Sequence, residues 1–240
     1  MKRVINRHFE RIDSTNTWAK AHIAEFEKGT FQVITAKEQS SGRGRDGRSF
    51  VSPAGGLYLT CAFEMPIPNA KAAPLSVAIG ASIAAALEVK FKWPNDLIFQ
   101  QKKVGGLLIE SINSWWIVGV GVNVDTPLDL LSSVKEISPT SLKAIGSALD
   151  VDRAASKVSQ VIYEAQARFL AEGFSPFLEC VHKNICCKKG EVIWVRVGRE
   201  EKVKAQYEGI DKEGRLLVYM QDKESSLRLK ALSQAEVFFQ

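Results

Sequence analysis

Residues 42–48 read GRGRDGR, with three glycines interleaved with three arginines. They follow a strand-like apolar run at 31–36. Glycine lets a backbone take positive φ angles and approach a ligand closely, and arginine binds phosphate or carboxylate oxygens two at a time. The segment therefore predicts a loop that holds an anion. Taken alone, a solvated basic hairpin loop of this composition is about as frequent.

The same loop formally fits the dinucleotide pattern G-x-G-x-x-G. That pattern requires a helix to start inside the motif, so that the helix N-terminus faces a pyrophosphate. Here the turn sequence SPAGG at 52–56 and a strand-like run at 57–63 follow instead. The match to a Rossmann fingerprint is therefore interpreted as a coincidence.

Three further clusters carry polar groups at points where the chain is locally rigid or lacks side chains. KWPND at 92–96 sets a fixed-φ proline before an Asn-Asp pair, although a simple turn explains it equally well. KKVGG at 102–106 places two ammonium groups at a hairpin turn, and its glycines suggest a close approach by a ligand or by backbone. VGVGVN at 118–123 predicts either a glycine-lined strand beside a ligand or a bulge.

The elements that position these clusters mix helices with antiparallel strands. Helical spacing predicts helices at 16–28, 76–89 and 152–172, and strands are expected at 97–99, 104–111 and 115–124. The order indicates an α+β fold. From Gly190 onward the pattern is entirely β, which predicts a small barrel. We place the domains at 1–187 and 188–240.

The composition argues against several classes of protein, including membrane-spanning and secreted proteins. The 240 residues have 45% hydrophobic content, a net charge of +5 and no apolar run as long as a membrane span. The basic start lacks the apolar region of a secretion signal. Four irregularly spaced cysteines fit neither a disulfide framework nor a zinc site, so a cytoplasmic location is expected. Mild positive charge without a reader motif is weak evidence for nucleic-acid binding.

Taken together, the clusters resemble those of the biotin protein ligases. The matching segments are DSTN at 13–16, EQ at 38–39 with the loop at 42–48, KWPND at 92–96, K-x-GG at 103–106 with Glu110, G-x-G-x-N at 119–123, and GID-x-x-G at 209–214. They appear in the family's order and cover most of the chain. Any one of them is a weak signal, but all six together are very specific.

The resemblance implies a catalytic domain of the class II aminoacyl-tRNA synthetase type with a mixed sheet, followed by a small C-terminal SH3-like β-barrel. It implies that biotin and MgATP give biotinyl-adenylate, which then acylates a lysine of a biotin carboxyl carrier protein, as in acetyl-CoA carboxylase. It leaves monomer and homodimer open. Some family members also repress transcription through an N-terminal helix-turn-helix domain. This chain reaches DSTN almost at once, so a ligase without specific DNA binding is expected.

The resemblance also assigns site residues. The expected biotin contacts are Ser14, Thr15, Gln39, Gly42, Arg43, Lys103, Gly105 and Gly106. The expected ATP contacts are Arg43, Arg45, Arg48, Phe50, Lys92, Asn95, Asp96 and Asn123. Lys103, Arg43 and Arg45 are the predicted catalytic groups, because joining a carboxylate to a phosphate requires cations where they meet. Asp96 is expected either to bind the metal or to orient Lys103.

Two residues depart from the family pattern. Phe50 stands where the family usually has Trp, and Asp46 adds a negative charge to the anion-binding loop. Both changes would weaken ligand retention without removing a required group. Two alternatives remain: a lipoate-type acyl ligase or transferase of the same superfamily, and a non-catalytic binding adaptor.

Overall fold

The computed structural model describes residues 2–131, 137–198, 200–221 and 226–239. Its strands are β1 (Arg3–Ile12), β2 (Thr30–Gln39), β3 (Gly56–Glu64), β4 (Lys90–Lys92), β5 (Asp96–Phe99), β6 (Lys102–Ile112), β7 (Trp115–Asn123), β8 (Val192–Arg196), β9 (Val203–Ile210), β10 (Leu216–Gln221), β11 (Leu227–Leu232) and β12 (Glu236–Phe238). Its α-helices are α1 (Thr15–Ala21), α2 (Ala72–Ala86), α3 (Val151–Glu172) and α4 (Leu178–Asn184). The fold is α+β, as the sequence predicts.

A seven-stranded mixed sheet in the order β1-β2-β3-β7-β6-β5-β4 forms the larger part of the molecule. Only β1 and β2 pair in parallel among these described strands. Side chains alternate between the two faces of the sheet: Cys61 and Phe63 pack with α2 and α3, whereas Ala62 packs with α1. Both faces are therefore covered by helices.

Helices α2 and α3 form where the sequence predicts helices, although some of their end residues differ from the predicted ones. α3 agrees with the predicted helix, since the Asp150 side chain caps its start by accepting from Arg153 N at 2.7 Å and Gly173 ends it at φ 74°. α2 starts at Ala72 instead of residue 76, with Pro74 in its first turn, where no intrahelical donor is needed. None of the helices in the described segments is long and apolar enough to cross a membrane.

The predicted helix at 16–28 is too long. α1 ends at Ala21, and the chain continues as a short 3-10 turn, Ile23–Glu25. His22 leaves the helical region at φ −105°, and its Nδ1 lies 2.9 Å from the carbonyl oxygen of Trp18. The aromatic side chains Trp18 and Phe26 still pack together under the sheet. Their helical spacing therefore reflects a shared buried face, which the chain reaches without a continuous helix.

The hairpin that presents the lysine and glycine cluster is confirmed. β5 and β6 are joined by Gln100 and Gln101, whose φ angles of 47° and 63° match the left-handed two-residue turn that fits the twist of paired strands. This turn places Lys102 and Lys103 at the start of β6. Gly105 and Gly106 follow on the same strand.

The C-terminal strands form an antiparallel five-stranded sheet in the order β11-β10-β9-β8-β12. The sheet contacts the larger one through Trp93, whose indole Nε1 donates to the carbonyl oxygen of Gly214 at 3.1 Å. A Cβ on Gly214 would lie 2.9 Å from Pro74, so this turn packs directly on α2. The contact places the GID-x-x-G turn against the KWPND loop.

Candidate active site

A cavity of about 430 Å³ lies between the Gly/Arg loop (residues 42–48), the KWPND loop (residues 92–96), β6, β7 and β12. This volume is in the range typical of small-molecule sites. Its walls come from segments that are distant in sequence. The fold therefore brings together the clusters that the sequence analysis identified separately.

Of the predicted site residues, thirteen line this cavity. They are Ser14, Thr15, Gln39, Arg43, Arg45, Arg48, Phe50, Lys92, Asn95, Asp96, Lys103, Gly106 and Asn123. Gly42 and Gly105 lie just behind the wall. A Cβ on Gly42 would be 2.3 Å from the Phe50 carbonyl oxygen, and one on Gly105 would be 2.3 Å from that of Gly121. The structure thus gives these two glycines a packing role, and their predicted ligand contacts stay a prediction.

Asp96 holds two lysines at the cavity wall. Its Oδ1 accepts from Lys103 Nζ at 2.6 Å, and its Oδ2 accepts from Lys92 Nζ at 3.4 Å. Burial opposes ionisation of the carboxyl, but the two ammonium groups outweigh it and lower the pKa of Asp96. The Lys103 side chain remains 28% exposed and so stays accessible from the cavity. The contact would allow Asp96 to orient Lys103, which stays a prediction, as does the alternative role of Asp96 as a metal ligand.

The backbone on either side of Lys103 is fixed as well. Lys103 N donates to Ser138 O at 2.8 Å, and Thr140 N donates to Lys103 O at the same distance. These bonds hold the segment after residue 137 against the start of β6. The ammonium group is therefore presented from a rigid element, and little ordering is needed when a ligand binds.

The Gly/Arg loop forms a small hairpin over the cavity. Phe50 N donates to Gly42 O and Gly44 N to Arg48 O, both at 2.8 Å. The tip is left-handed, with φ angles of 54° at Asp46 and 75° at Gly47. Aspartate is one of the few side chains that adopt this region readily. Asp46 therefore fits the turn conformationally, although its charge lies beside the cavity.

Two arginines of the loop contact other walls of the cavity. Arg45 Nη1 donates to Asn95 Oδ1 at 3.0 Å, and Asn95 Nδ2 in turn donates to Leu107 O at 3.1 Å. Arg48 forms an ion pair with Glu236 of β12. The loop is thus connected to the KWPND loop on one side and to the C-terminal sheet on the other.

One end of the cavity is polar and buried. Thr15 donates to Gln39 Oε1 through its backbone N at 2.9 Å and through its hydroxyl at 3.2 Å. Gln39 Nε2 donates to Ser52 Oγ at 3.0 Å. Ser14, at the start of α1, is also buried here. This end offers neutral donors and acceptors, in contrast to the cations around Lys103.

Asn123 and Phe50 form another part of the wall. Asn123 Nδ2 donates to Thr140 O at 3.0 Å, but its buried Oδ1 has no hydrogen-bond partner among the described residues. A buried acceptor without a partner is costly, so a ligand donor at this position would be stabilising. The Phe50 ring lies against Gly121, where a Cβ would be 2.6 Å from the ring. Gly121 therefore leaves room for an aromatic wall.

Several residues that line the cavity were not among the predicted contacts, Asn16 and strand β12 among them. Asn16 belongs to the DSTN segment and lines the buried polar end. Strand β12 supplies Glu236, Val237 and Phe238, although its three residues carry no motif. For Asn16, its place in the DSTN segment was an available signal. No local sequence pattern indicated that β12 would reach the cavity.

The cavity combines five cationic side chains with three anionic ones, and its polar end is neutral. Such a distribution suits an uncharged polar group at one end and anionic groups beside Lys103, Arg43 and Arg45. The fold and the cavity thus define a class of mixed-sheet protein with a small-molecule site that suits anionic groups beside an uncharged polar group.

Comparisons with known proteins agree with this class. A family model for the biotin/lipoate A/B protein ligases matches residues 8–126. The biotin--[acetyl-CoA-carboxylase] ligase of Paracoccus denitrificans is 31% identical over 244 residues, covering 95% of this chain and 98% of that protein. The bifunctional ligase/repressor BirA of Escherichia coli is 32% identical over 221 residues, covering 86% of this chain and 67% of that protein.

A solved structure agrees with these relatives. The biotin protein ligase from Aquifex aeolicus in complex with biotin and ATP has a TM-score of 0.75 and 28% identity, over 99% of both chains. The chain therefore belongs to the biotin/lipoate A/B protein ligase family.

Proposed function

We propose that this protein is an ATP-dependent biotin protein ligase. It activates biotin as biotinyl-adenylate and transfers the biotinyl group to a lysine of a biotin carboxyl carrier protein. The observation that carries the proposal is one cavity with Thr15 and Gln39 at its neutral end and Lys103 held by Asp96 in its wall. The same cavity includes Asn123, whose buried Oδ1 has no partner among the described residues. Relatives named as biotin ligases over nearly their whole length support it.

In the first step, the carboxylate of biotin attacks the α-phosphate of ATP, and pyrophosphate leaves. Both reactants are anionic, so their approach requires positive charge at the meeting point. Lys103 supplies that charge from a fixed position, and Arg43 and Arg45 extend it toward the phosphates. The ion pair with Asp96, which also contacts Lys92, keeps the Lys103 ammonium group at the cavity wall.

In the second step, the amine of the carrier lysine attacks the acyl carbon of the adenylate, and AMP leaves. Mg²⁺ accompanies ATP in this proposal and neutralises its phosphate charge. The part of the chain described by the structure contains no group of three acidic, histidine or cysteine side chains that could hold a metal. Asp96 would be the protein ligand in this proposal, with both of its oxygens also in contact with lysines.

The test is direct. The purified protein is mixed with biotin, MgATP and a biotin carboxyl carrier domain, and the carrier is examined by mass spectrometry for one added biotinyl group. Exchange of labelled pyrophosphate into ATP, measured without the carrier, reports the first step separately. We expect both signals, and both should depend on biotin.

Parallel reactions separate the proposal from its alternatives. Lipoate with a lipoyl acceptor domain replaces biotin and its carrier in one series. Lipoylation at a rate equal to or above that of biotinylation would reassign the substrate. Absence of pyrophosphate exchange with either acid, in a folded protein, would favour the binding adaptor.

Other properties remain predictions. Free cysteines at 61, 180, 186 and 187 fit a cytoplasmic location. The boundary at 187/188 is proposed because the polar link there precedes β8. Monomer and homodimer remain open, as does the expected lack of specific DNA binding.

A further inference from the structure

A partly buried ion pair lies beside the neutral end of the cavity. Lys20 Nζ of α1 donates to Glu110 Oε1 of β6 at 2.6 Å, and the two side chains are 23% and 29% exposed. Neither residue lines the cavity. The second carboxylate oxygen, Oε2, accepts from Asn16 Nδ2 at 3.1 Å. The pair is thus connected to the ligand site through one amide.

The contacts of Asn16 fix which way its amide points. Its Nδ2 faces two groups that can only accept, the Glu110 carboxylate and the Leu108 carbonyl at 3.4 Å. Its Oδ1 must then face the opposite way, toward the Thr60 hydroxyl at 2.6 Å. A Cβ on Gly119 would lie 2.2 Å from this oxygen, so the amide occupies space that only glycine leaves.

The direction of hydrogen bonding passes from Asn16 to Thr15. The Thr60 hydroxyl contacts both Asn16 Oδ1 at 2.6 Å and Thr15 Oγ1 at 2.8 Å, but it has only one proton. The amide oxygen cannot donate, so it takes that proton. The Thr15 hydroxyl then points its own proton inward, to Thr60 or to Gln39 Oε1 at 3.2 Å. Its lone pairs are left for the cavity.

We propose that Glu110, held by Lys20, is a positioning residue that sets this hydrogen-bond direction and makes Thr15 Oγ1 an acceptor for an N–H group of the ligand. The inference rests on the proposed function and adds a basis for its specificity. Biotin carries a cyclic urea with two N–H donors, whereas lipoate has a dithiolane ring and no N–H at that end. A site that must satisfy a buried acceptor discriminates strongly against a ligand without the donor.

The test uses Glu110→Gln, which keeps the shape of the side chain but can donate as well as accept. The Asn16 amide can then reverse against only the longer contact with the Leu108 carbonyl at 3.4 Å, so the direction of the hydrogen-bond chain is fixed less firmly. Calorimetry would measure the binding of biotin and of its two cyclic carbamate analogues, in each of which one ureido N–H is replaced by oxygen. Wild type should prefer biotin over at least one analogue. In Glu110→Gln that preference should fall about tenfold, through weaker biotin binding.

The controls separate this role from general damage to the fold. Glu10→Gln breaks the exposed pair with Lys37, whose Nζ–Oε2 distance is 3.2 Å, and should leave the preference unchanged. The rate of adenylate formation at saturating biotin should be similar in wild type and Glu110→Gln. If Glu110→Gln does not fold, Thr60→Val interrupts the same chain with a side chain of equal shape, and the same loss of preference is expected.

The outcomes of these experiments distinguish a failure of the inference about Glu110 from a failure of the proposed function. An unchanged preference in folded Glu110→Gln, or in Thr60→Val when that variant is needed, would overturn the inference while leaving the ligase intact. A wild-type protein that binds none of these compounds would instead remove the proposed function on which the inference rests.

Discussion

At the scale of single residues, two neighbouring lysines at one hairpin should behave differently. Lys103 contacts Asp96 and lines the cavity, whereas Lys102 is exposed and does not. We expect Lys103→Ala to slow adenylate formation by about 10²- to 10³-fold, because it removes a preorganised charge at the reacting atoms. Lys102→Ala is the matched control and should retain the wild-type rate in pyrophosphate exchange. Equal rates for both variants would show that Lys103 is not catalytic.

The Asp96 carboxyl gives a prediction about stability and pH. Its pKa is lowered in the folded protein, so it contributes stability above its unfolded pKa of about 3.9 and loses it as the pH falls through the folded value. Asp96→Asn leaves two lysines without their buried partner and should cost about 3 kcal/mol at pH 7. The difference should shrink only below about pH 4.

Urea unfolding of wild type and Asp96→Asn at pH 7, 5, 4 and 3 would measure this. The exposed pair of Lys143 and Asp125, with its Nζ–Oδ2 distance of 2.8 Å, offers the control Asp125→Asn, which should change stability by less than about 1 kcal/mol. A gap between wild type and Asp96→Asn that stayed constant down to pH 3 would contradict the assignment of the stabilisation to the ionised carboxyl.

At the scale of elements, the glycines of β7 make room for side chains from elsewhere. A Cβ on Gly121 would lie 2.6 Å from the Phe50 ring, which packs against this strand. We expect Gly121→Ala to displace the ring and to raise the KM for ATP or biotin about tenfold, with a small change in thermal stability. Steady-state kinetics with each substrate varied in turn would identify which ligand the ring contacts.

A double-mutant cycle tests the mechanism of that effect. If Gly121→Ala acts by moving the ring, it should add little in a Phe50→Ala background, because the ring is already absent. Additive effects in the two backgrounds would mean that the methyl group disturbs β7 itself. The cycle thus shows whether the rise in KM comes from displacement of the Phe50 ring or from a disturbance of β7.

Some elements could be predicted from local sequence signals, and others could not. α3 has a long apolar stripe, an Asp150 cap and Gly173 at its end, so local signals define it. β1 has charged and apolar residues mixed at the edge of the sheet, and β4 and β12 have three residues each. Such strands are defined by pairing with distant partners, which local periodicity does not report.

The difference between local signals and long-range contacts also applies to the candidate site. The lysine, arginine and asparagine clusters could be recognised because each is a short segment with unusual composition. Their connections could not, since the hydrogen bond of Trp93 to Gly214 and the ion pair of Arg48 with Glu236 join opposite ends of the chain. The sequence therefore predicted most of the groups that meet at the cavity, and the fold showed how they are held.

At the scale of the whole molecule, the C-terminal sheet is part of the cavity wall. Its turn at Gly214 receives the Trp93 indole, and its β12 lines the cavity beside the Gly/Arg loop. Glu236 contacts Arg48 with one carboxylate oxygen and Arg196 with the other. The sheet is therefore positioned to influence how the loop is held over the cavity, although it contributes none of the predicted catalytic groups.

This arrangement predicts that Glu236→Gln affects nucleotide binding more than the chemical step. The variant keeps a hydrogen-bonding side chain but removes the negative charge beside Arg48, so the loop is held less firmly over the cavity. Because Arg48 is 42% exposed, solvent screens the pair, and we expect only about a fivefold rise in the KM for ATP, with kcat nearly unchanged. Glu213→Gln, which breaks the pair with Arg215 in the turn between β9 and β10, is the matched control and should leave both constants unchanged. The rise should also be smaller in high salt, where the pair is already weakened in wild type. An equal KM for ATP in wild type and Glu236→Gln at low salt would show that the C-terminal sheet only packs against the loop and does not help to hold it.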